Sequence, residues 1–193
     1  MTESDHEYQL SFQPLSPSNF GDFEQLFGEK GACGGCWCMY WRLQRKAFEA
    51  GKGEGNRLSM RALVDSGKVP GIIAYHNNEA IGWCSVGNRE DFPRLAKSRT
   101  LKPIDDKKAW IISCLFIRRD WRRKGVQQAL LSYLVDYCSG HGAKILEGYP
   151  CDSTYGKYPD AFAWTGIAKA YIDAGFLEVA RASEKRPVMR YYM

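Results

Sequence analysis

Long apolar runs are missing from this chain. The longest, around Ala109 to Ile117, falls far below the roughly 20 residues that cross a bilayer, which argues against a membrane protein. The opening MTESDHEYQL has no basic segment followed by an apolar one, so no secretory signal is read and a cytoplasmic protein is expected. Histidine is scarce, and His6, His76 and His141 show no metal-ligand spacing. Neither G-x-x-x-x-G-K-[ST] nor G-x-G-x-x-G occurs, which excludes a Walker A loop and a dinucleotide fingerprint. Internal repeats, low-complexity tracts and clear linkers are absent too. The charge excess is small. A net charge of +5 is too little for a DNA-packaging protein and suits an anionic small-molecule partner. Seven cysteines, an odd number without an export signal, read as reduced thiols.

What is present is ordinary for a globular protein: 45% apolar and 25% charged residues over 193 positions. One α/β domain over 1–193 is expected. YQLSFQPLS alternates as a strand, and Phe20, Phe23, Leu26 and Phe27 follow at helical spacing. RKAFEAGKGEGNRLSMRALVDSGK reads as helical pieces broken by its glycines. GIIAYHNNEAIGWCSVG is a hairpin around His76-Asn77-Asn78-Glu79. Arg89 to Lys108 reads as a loop, and AWIISCLFI as a strand buried on both faces. Val126, Ala129, Leu130, Tyr133, Leu134, Tyr137 and Cys138 mark an amphipathic helix stopped by Gly140 and Gly142. KILEGYP is a further strand and FAWTGIAKAYIDAGF a further helix. FLEVARAS and PVMRYYM close the chain as strands, and an exposed edge such as the C-terminal strand offers a homodimer contact.

The densest charge lies between the buried strand and the amphipathic helix. Arg118, Arg119, Arg122, Arg123 and Lys124 precede Gly125 in RRDWRRKGVQQALL. A helix N-terminus presents unpaired amides and the positive end of a dipole, and a glycine there lets a phosphate approach the backbone. Cationic side chains add charge-assisted contacts. The bland alternative is a solvated basic loop.

On these residues the chain resembles the GNAT acyltransferase family, whose hallmark [RQ]-x-x-G-x-[GA] holds the pyrophosphate of acetyl-CoA. Arg122-Arg123-Lys124-Gly125-Val126-Gln127 stands in its place, departing where Gln127 replaces the final small residue. AKAYIDAGF resembles the family's Y-x-x-x-G-F helix, with Tyr171 four residues before Gly175. Trp164 lies near the position of an Asn common in the family. The wider pattern GGCWCMYWR, GWCSVG, DFPRL and YP resembles a poorly characterised bacterial subgroup. The resemblance implies an α/β fold with a mixed central sheet of six to seven strands flanked by helices. Its splayed central strands would hold acetyl-CoA.

It also implies direct acetyl transfer from acetyl-CoA to an amine acceptor. A backbone amide near Leu115 or Phe116, in the strand ending at Ile117, would polarise the thioester carbonyl. Tyr171 would protonate the leaving thiolate as general acid, its alternative being core packing. No acid lies in Trp110 to Ile117. Glu147, Asp152 and Asp120 are the nearby carboxylates, and none is assigned as base.

Cys33, Cys36 and Cys38 form C-x-x-C-x-C, one ligand short of a structural zinc site. Cys84, Cys114, Cys138 and Cys151 stand singly, so no metal is expected. In the family's layout the segment carrying Trp37, Met39, Tyr40 and Trp41 walls the acceptor pocket, with core packing as the alternative. The long segment Arg89 to Lys108 suggests a covered pocket and leans towards a small-molecule acceptor. A CoA-binding sensor without turnover and a protein N-acetyltransferase are the rival readings. A nucleic-acid binder ranks last, since the basic residues form one loop and no known module.

Overall fold

Two asparagines set the first register. Asn77 and Asn78 take φ of 48° and 65°, as a two-residue hairpin turn requires and Asn tolerates. They join β2 (Gly71–His76) to β3 (Glu79–Asn88), and β1 (Leu10–Pro14) pairs antiparallel on the outer side of β2. The computed structural model describes residues 8–155 and 163–193. β4 (Trp110–Ile117), β5 (Ile145–Gly148), β6 (Leu177–Ser183) and β7 (Arg186–Tyr192) complete one seven-stranded sheet in the order β1-β2-β3-β4-β5-β7-β6. The C-terminal strand is therefore interior, between β5 and β6. The edges are β1 and β6, which corrects the expectation that the last strand is free to pair between chains.

Alternation along the strands divides the core. Ile72, Ala74, Cys84 and Leu115 meet α5 (Val126–Gly140), whose Val126, Leu130, Leu131, Leu134 and Cys138 are all buried. On the other face Ile73, Tyr75 and Trp83 meet α1 (Phe20–Phe27) and Met60 and Val64 of α3 (Glu54–Asp65). The helical pieces expected around the Gly-Lys-Gly-Glu-Gly run are α2 (Arg45–Ala50) and α3. Arg89 to Lys108, expected as a loop, contains the one-turn helix α4 (Pro93–Ala96). Pro93 suits the first helical position, and Phe92, Leu95 and Leu101 anchor the segment in a third apolar cluster. No helix among the described residues is long and apolar enough to cross a membrane.

Two irregularities of β4 shape the sheet around it. Ser85 pairs with Cys114 but Val86 pairs with Ile112, so Ser113 is an extra residue that bulges the strand. β4 and β5 run parallel for only three pairs, Trp110↔Leu146 to Ile112↔Gly148. β5 then ends, while β4 continues to Ile117. A split opens beside the second half of β4.

Candidate active site

The split is lined on one side by backbone. The Leu115 amide donates to the Trp164 carbonyl at 2.7 Å, and the Arg118 amide donates to Ile81 of β3 at 2.9 Å. Amides alternate along a strand, so Leu115 and Ile117 face the split and Phe116 faces β3. Of the two amides proposed for a thioester carbonyl, only that of Leu115 is aimed into the split.

A strap of four residues, Trp164 to Ile167, lies in the opening. Each of its carbonyls is bonded: Trp164 by the Leu115 amide, Gly166 by the Cys151 amide, Thr165 by the Tyr171 hydroxyl and Ile167 by Gln127 Nε2. Gly166 sits at φ +88°, where only glycine is comfortable. An added Cβ would stand 2.6 Å from Gln127 Nε2 and 2.7 Å from Leu115 Cδ1. This explains why the expected helix FAWTGIAKAYIDAGF shrinks to α6 (Ala168–Asp173). Tertiary bonds hold Trp164 to Ile167 out of the helix, in a turn that the Gly166 amide closes on the Ala163 carbonyl at 2.9 Å. Residues 156–162 of the loop proposed to close the pocket, and His6, lie outside the described residues. Replacing Gly166 by valine is expected to cost about 1–3 kcal/mol of stability by overpacking, read as a lower urea midpoint. A midpoint equal to that of the unaltered protein would show that the strap is not seated.

Tyr171 has no exposed surface, and burial pushes its phenol well above the usual range. It therefore stays protonated, with its hydroxyl as a donor at the split. Gln127 reaches across to Ile167 at 3.4 Å, so the departure from a small residue has a local use as a strap anchor.

The basic loop is less freely charged than it reads. Arg118 forks between Asp120 (both contacts 2.8 Å) and Glu79. Arg122 Nε donates to the Ile117 carbonyl at 3.1 Å. Lys124 lies 4.8 Å from the centre of the Trp121 ring, while Arg119 and Arg123 are exposed. Gly125 caps α5 at φ 74°, with open space where a Cβ would be. The Ala129 amide is the first to close back, on Gly125, so those of Val126, Gln127 and Gln128 precede the helix's own bonding.

The four proposed pocket residues separate. Trp37 is buried and stacks on Phe27, 5.8 Å between centroids, as core packing. Met39 is also buried, along an open cleft of about 470 Å³ beside α3. Tyr40 and Trp41 are partly exposed and meet the Trp164 ring at 5.4 and 6.1 Å. Arg94 lies 3.8 Å over Tyr40. This places an aromatic wall where the strap meets Leu115, and Trp164 is the member that sequence reasoning missed. Its only signal was the Trp-Thr-Gly run, whose glycine argues against an unbroken helix.

The carboxylates are committed elsewhere. Glu147, 1% exposed, accepts from Arg190 Nε at 2.8 Å, from Arg89 at 3.2 Å and from the Tyr149 hydroxyl. Asp152 is held below the usual carboxylate range first by the Thr154 hydroxyl, with Arg181 also bonded. Asp120 is lowered by Arg118. Cys33 is exposed, Cys36 half-buried and Cys38 buried, and among the described residues no set of three His, Cys, Asp or Glu side chains is placed to hold a metal.

Solved structures share this architecture. An acetyltransferase of the GNAT family from Streptococcus agalactiae superposes with TM-score 0.56 at 11% identity, covering 96% of this chain and 97% of that one. The PaiA N-acetyltransferase of Thermoplasma acidophilum, in complex with coenzyme A, gives 0.52 at 12%, covering 96% and 99%. Arabidopsis thaliana NAA60, in complex with acetyl-CoA, gives 0.51 at 16%, covering 96% and 100%. A search of curated proteins found no match. Residues 37–151 match the model of the acetyltransferase (GNAT) family, and the chain belongs to that family.

Proposed function

We propose that the protein transfers the acetyl group of acetyl-CoA directly to an amine on a small molecule. The observation that carries this reading is the glycine-capped basic turn at the start of α5, beside the split between β4 and β5. In it, Arg122, Arg123, Lys124 and the amides of Gly125, Val126 and Gln127 bind the pyrophosphate. The pantetheine arm enters the split along Leu115 to Ile117. The Leu115 amide exchanges Trp164 for the thioester carbonyl and stabilises the negative charge that grows there during attack. Tyr171, a buried phenol held protonated, donates to the leaving thiolate. The acceptor approaches along Tyr40, Trp41 and Trp164. Glu147, Asp152 and Asp120 are each committed elsewhere, so the amine attacks in its neutral form or gives its proton to water.

Two findings support the cosubstrate. The chain is a family member, and fold relatives were solved with coenzyme A and acetyl-CoA. The small-molecule reading rests on the compact aromatic wall.

Titration calorimetry tests the carrying observation. Acetyl-CoA is expected to bind 1:1, and Gly125→Asp to weaken it at least about 100-fold, or roughly 2.7 kcal/mol. The substitution puts a carboxylate where a phosphate is due and a side chain at a left-handed φ. Equal affinity in the variant, or no binding of the unaltered protein at millimolar ligand, would remove the reading. Turnover with simple primary amines but not with free-N-terminal peptides would then separate the small-molecule acceptor from the protein one. Binding without turnover on either would leave a sensor.

A further inference from the structure

The opposite face of β4 holds a second arrangement of reactive groups. Cys38 is 5% exposed, and Trp83 Nε1 donates to its sulfur at 3.2 Å. Cys114 packs against the same cluster with its thiol near Cys38, while the Ser85 hydroxyl donates to the Pro70 carbonyl at 3.2 Å. Arg42 stands beside them as a buried cation. One of its terminal nitrogens donates to Pro70 O (2.9 Å), Ser85 Oγ (3.2 Å) and Val86 O (3.0 Å), all neutral, and its Nε has no partner. Among the described residues no carboxylate pairs with it within 4 Å, and Cys38 is its foremost anionic neighbour. A buried guanidinium favours a negative charge nearby, and the groups placed to carry one are Cys38 first and Asp91 second.

The backbone is bent to make this contact. Trp37 and Cys38 are consecutive non-glycine residues at φ 47° and 60°, a conformation that costs energy and persists only where its surroundings impose it. Cys114 answers from β4, immediately after the bulge at Ser113. Burial pushes the Cys38 thiol up, but the bonds from Cys114 and Trp83 and the charge of Arg42 outweigh burial and bring it down to about 7. The bond to Cys38, followed by burial, holds Cys114 well above the usual thiol range. The two thiols titrate together, and the surrounding donors and the nearby cation favour one thiolate beside one thiol, the pairing that an attacking and a resolving cysteine need.

We propose that Cys38 and Cys114 form a redox-active pair that a peroxide converts to a disulfide, tying the segment 37–43 to β4. The Cys38 thiolate attacks one peroxide oxygen, forming an S–O bond and releasing hydroxide as the O–O bond breaks. The Cys114 sulfur then attacks Cys38. An S–S bond forms, and the sulfenic oxygen leaves as water with the Cys114 proton. Two electrons pass from the two sulfurs to the peroxide. The open cleft of about 470 Å³ is lined by Met39 and Arg42 and brings solvent to the neighbours of Cys38, and a peroxide is little larger than water. Cys33, exposed and outside this cluster, is an internal control. The proposal stands independently of acetyl transfer.

The test treats the full chain with a small excess of hydrogen peroxide, alkylates the remaining thiols and maps non-reduced peptides by mass spectrometry. The expected product is a peptide pair linked through Cys38 and Cys114, lighter by two hydrogens and restored by dithiothreitol. In Cys114→Ser, Cys38 is expected to remain as a sulfenic acid that dimedone traps. Oxidation of Cys33 while Cys38 stays reduced would overturn the proposal, as would linkage of Cys38 chiefly to Cys36 or Cys33. Because the link is read in the unaltered protein, misfolding of a variant does not decide the outcome.

Discussion

Glu147→Ala is expected to lower the stability of the fold by about 3–5 kcal/mol, the usual cost of removing one member of a buried ion pair. Glu147 lies on β5 between two cations. Its oxygens take bonds from Arg190, 2% exposed, and from Arg89, while the Tyr149 hydroxyl bonds the same carboxylate. Arg190 carries Asp105 on its other nitrogens at 2.6 and 2.9 Å, so the network ties β5 and β7 to the 89–108 segment. Removing the carboxylate leaves Arg190 buried, with the partly exposed Asp105 as its remaining carboxylate among the described residues. At this chain length a kcal/mol shifts the melting temperature by roughly 2–4 °C, so a fall of roughly 6–20 °C is expected. Thermal and urea unfolding followed by circular dichroism measure it. A loss below about 1 kcal/mol would mean that water already compensates Arg190. Glu147→Gln keeps the acceptor oxygen and should lie between the two.

The largest kinetic effect is expected from Tyr171→Phe. Removing a positioned general acid costs typically 10²–10⁴-fold in rate, so turnover should fall by at least about 100-fold. Acetyl-CoA affinity should stay within about twofold, because the hydroxyl serves the departing sulfur and not the bound thioester. The structural cost is one bond to the Thr165 carbonyl, at 3.2 Å, and should be near 1 kcal/mol. That split is the useful readout. A tyrosine that only packs would lose stability with kcat intact, whereas loss of affinity with kcat unchanged would make its hydroxyl a binding group. Stopped-flow release of free thiol, with calorimetry on the same samples, separates these outcomes.

Much of the frame was legible from local pattern alone. The hairpin at Asn77 and Asn78, the helix from Val126 to Gly140 and the buried strand before it follow from periodicity and turn chemistry. Each is set by neighbours in sequence. The basic turn was legible for the same reason, since Gly125 and the amides after it are consecutive in the chain. The acceptor wall was legible only in part. Trp37, Met39, Tyr40 and Trp41 are adjacent, yet the left-handed turn at Trp37 and Cys38 sends Trp37 into the core against Phe27 and leaves Tyr40 and Trp41 facing Trp164.

By itself, then, the sequence determined the order of strands and helices, the family and the position of the basic turn, because all of these follow from contacts a few residues apart. Tertiary structure alone decided which amide of β4 faces the split, that Trp164 to Ile167 lie across it, that the C-terminal strand is interior, and that Cys38 meets Cys114. Each depends on pairing between segments far apart in the chain, where register, a single bulge at Ser113 and the early end of β5 choose the partners.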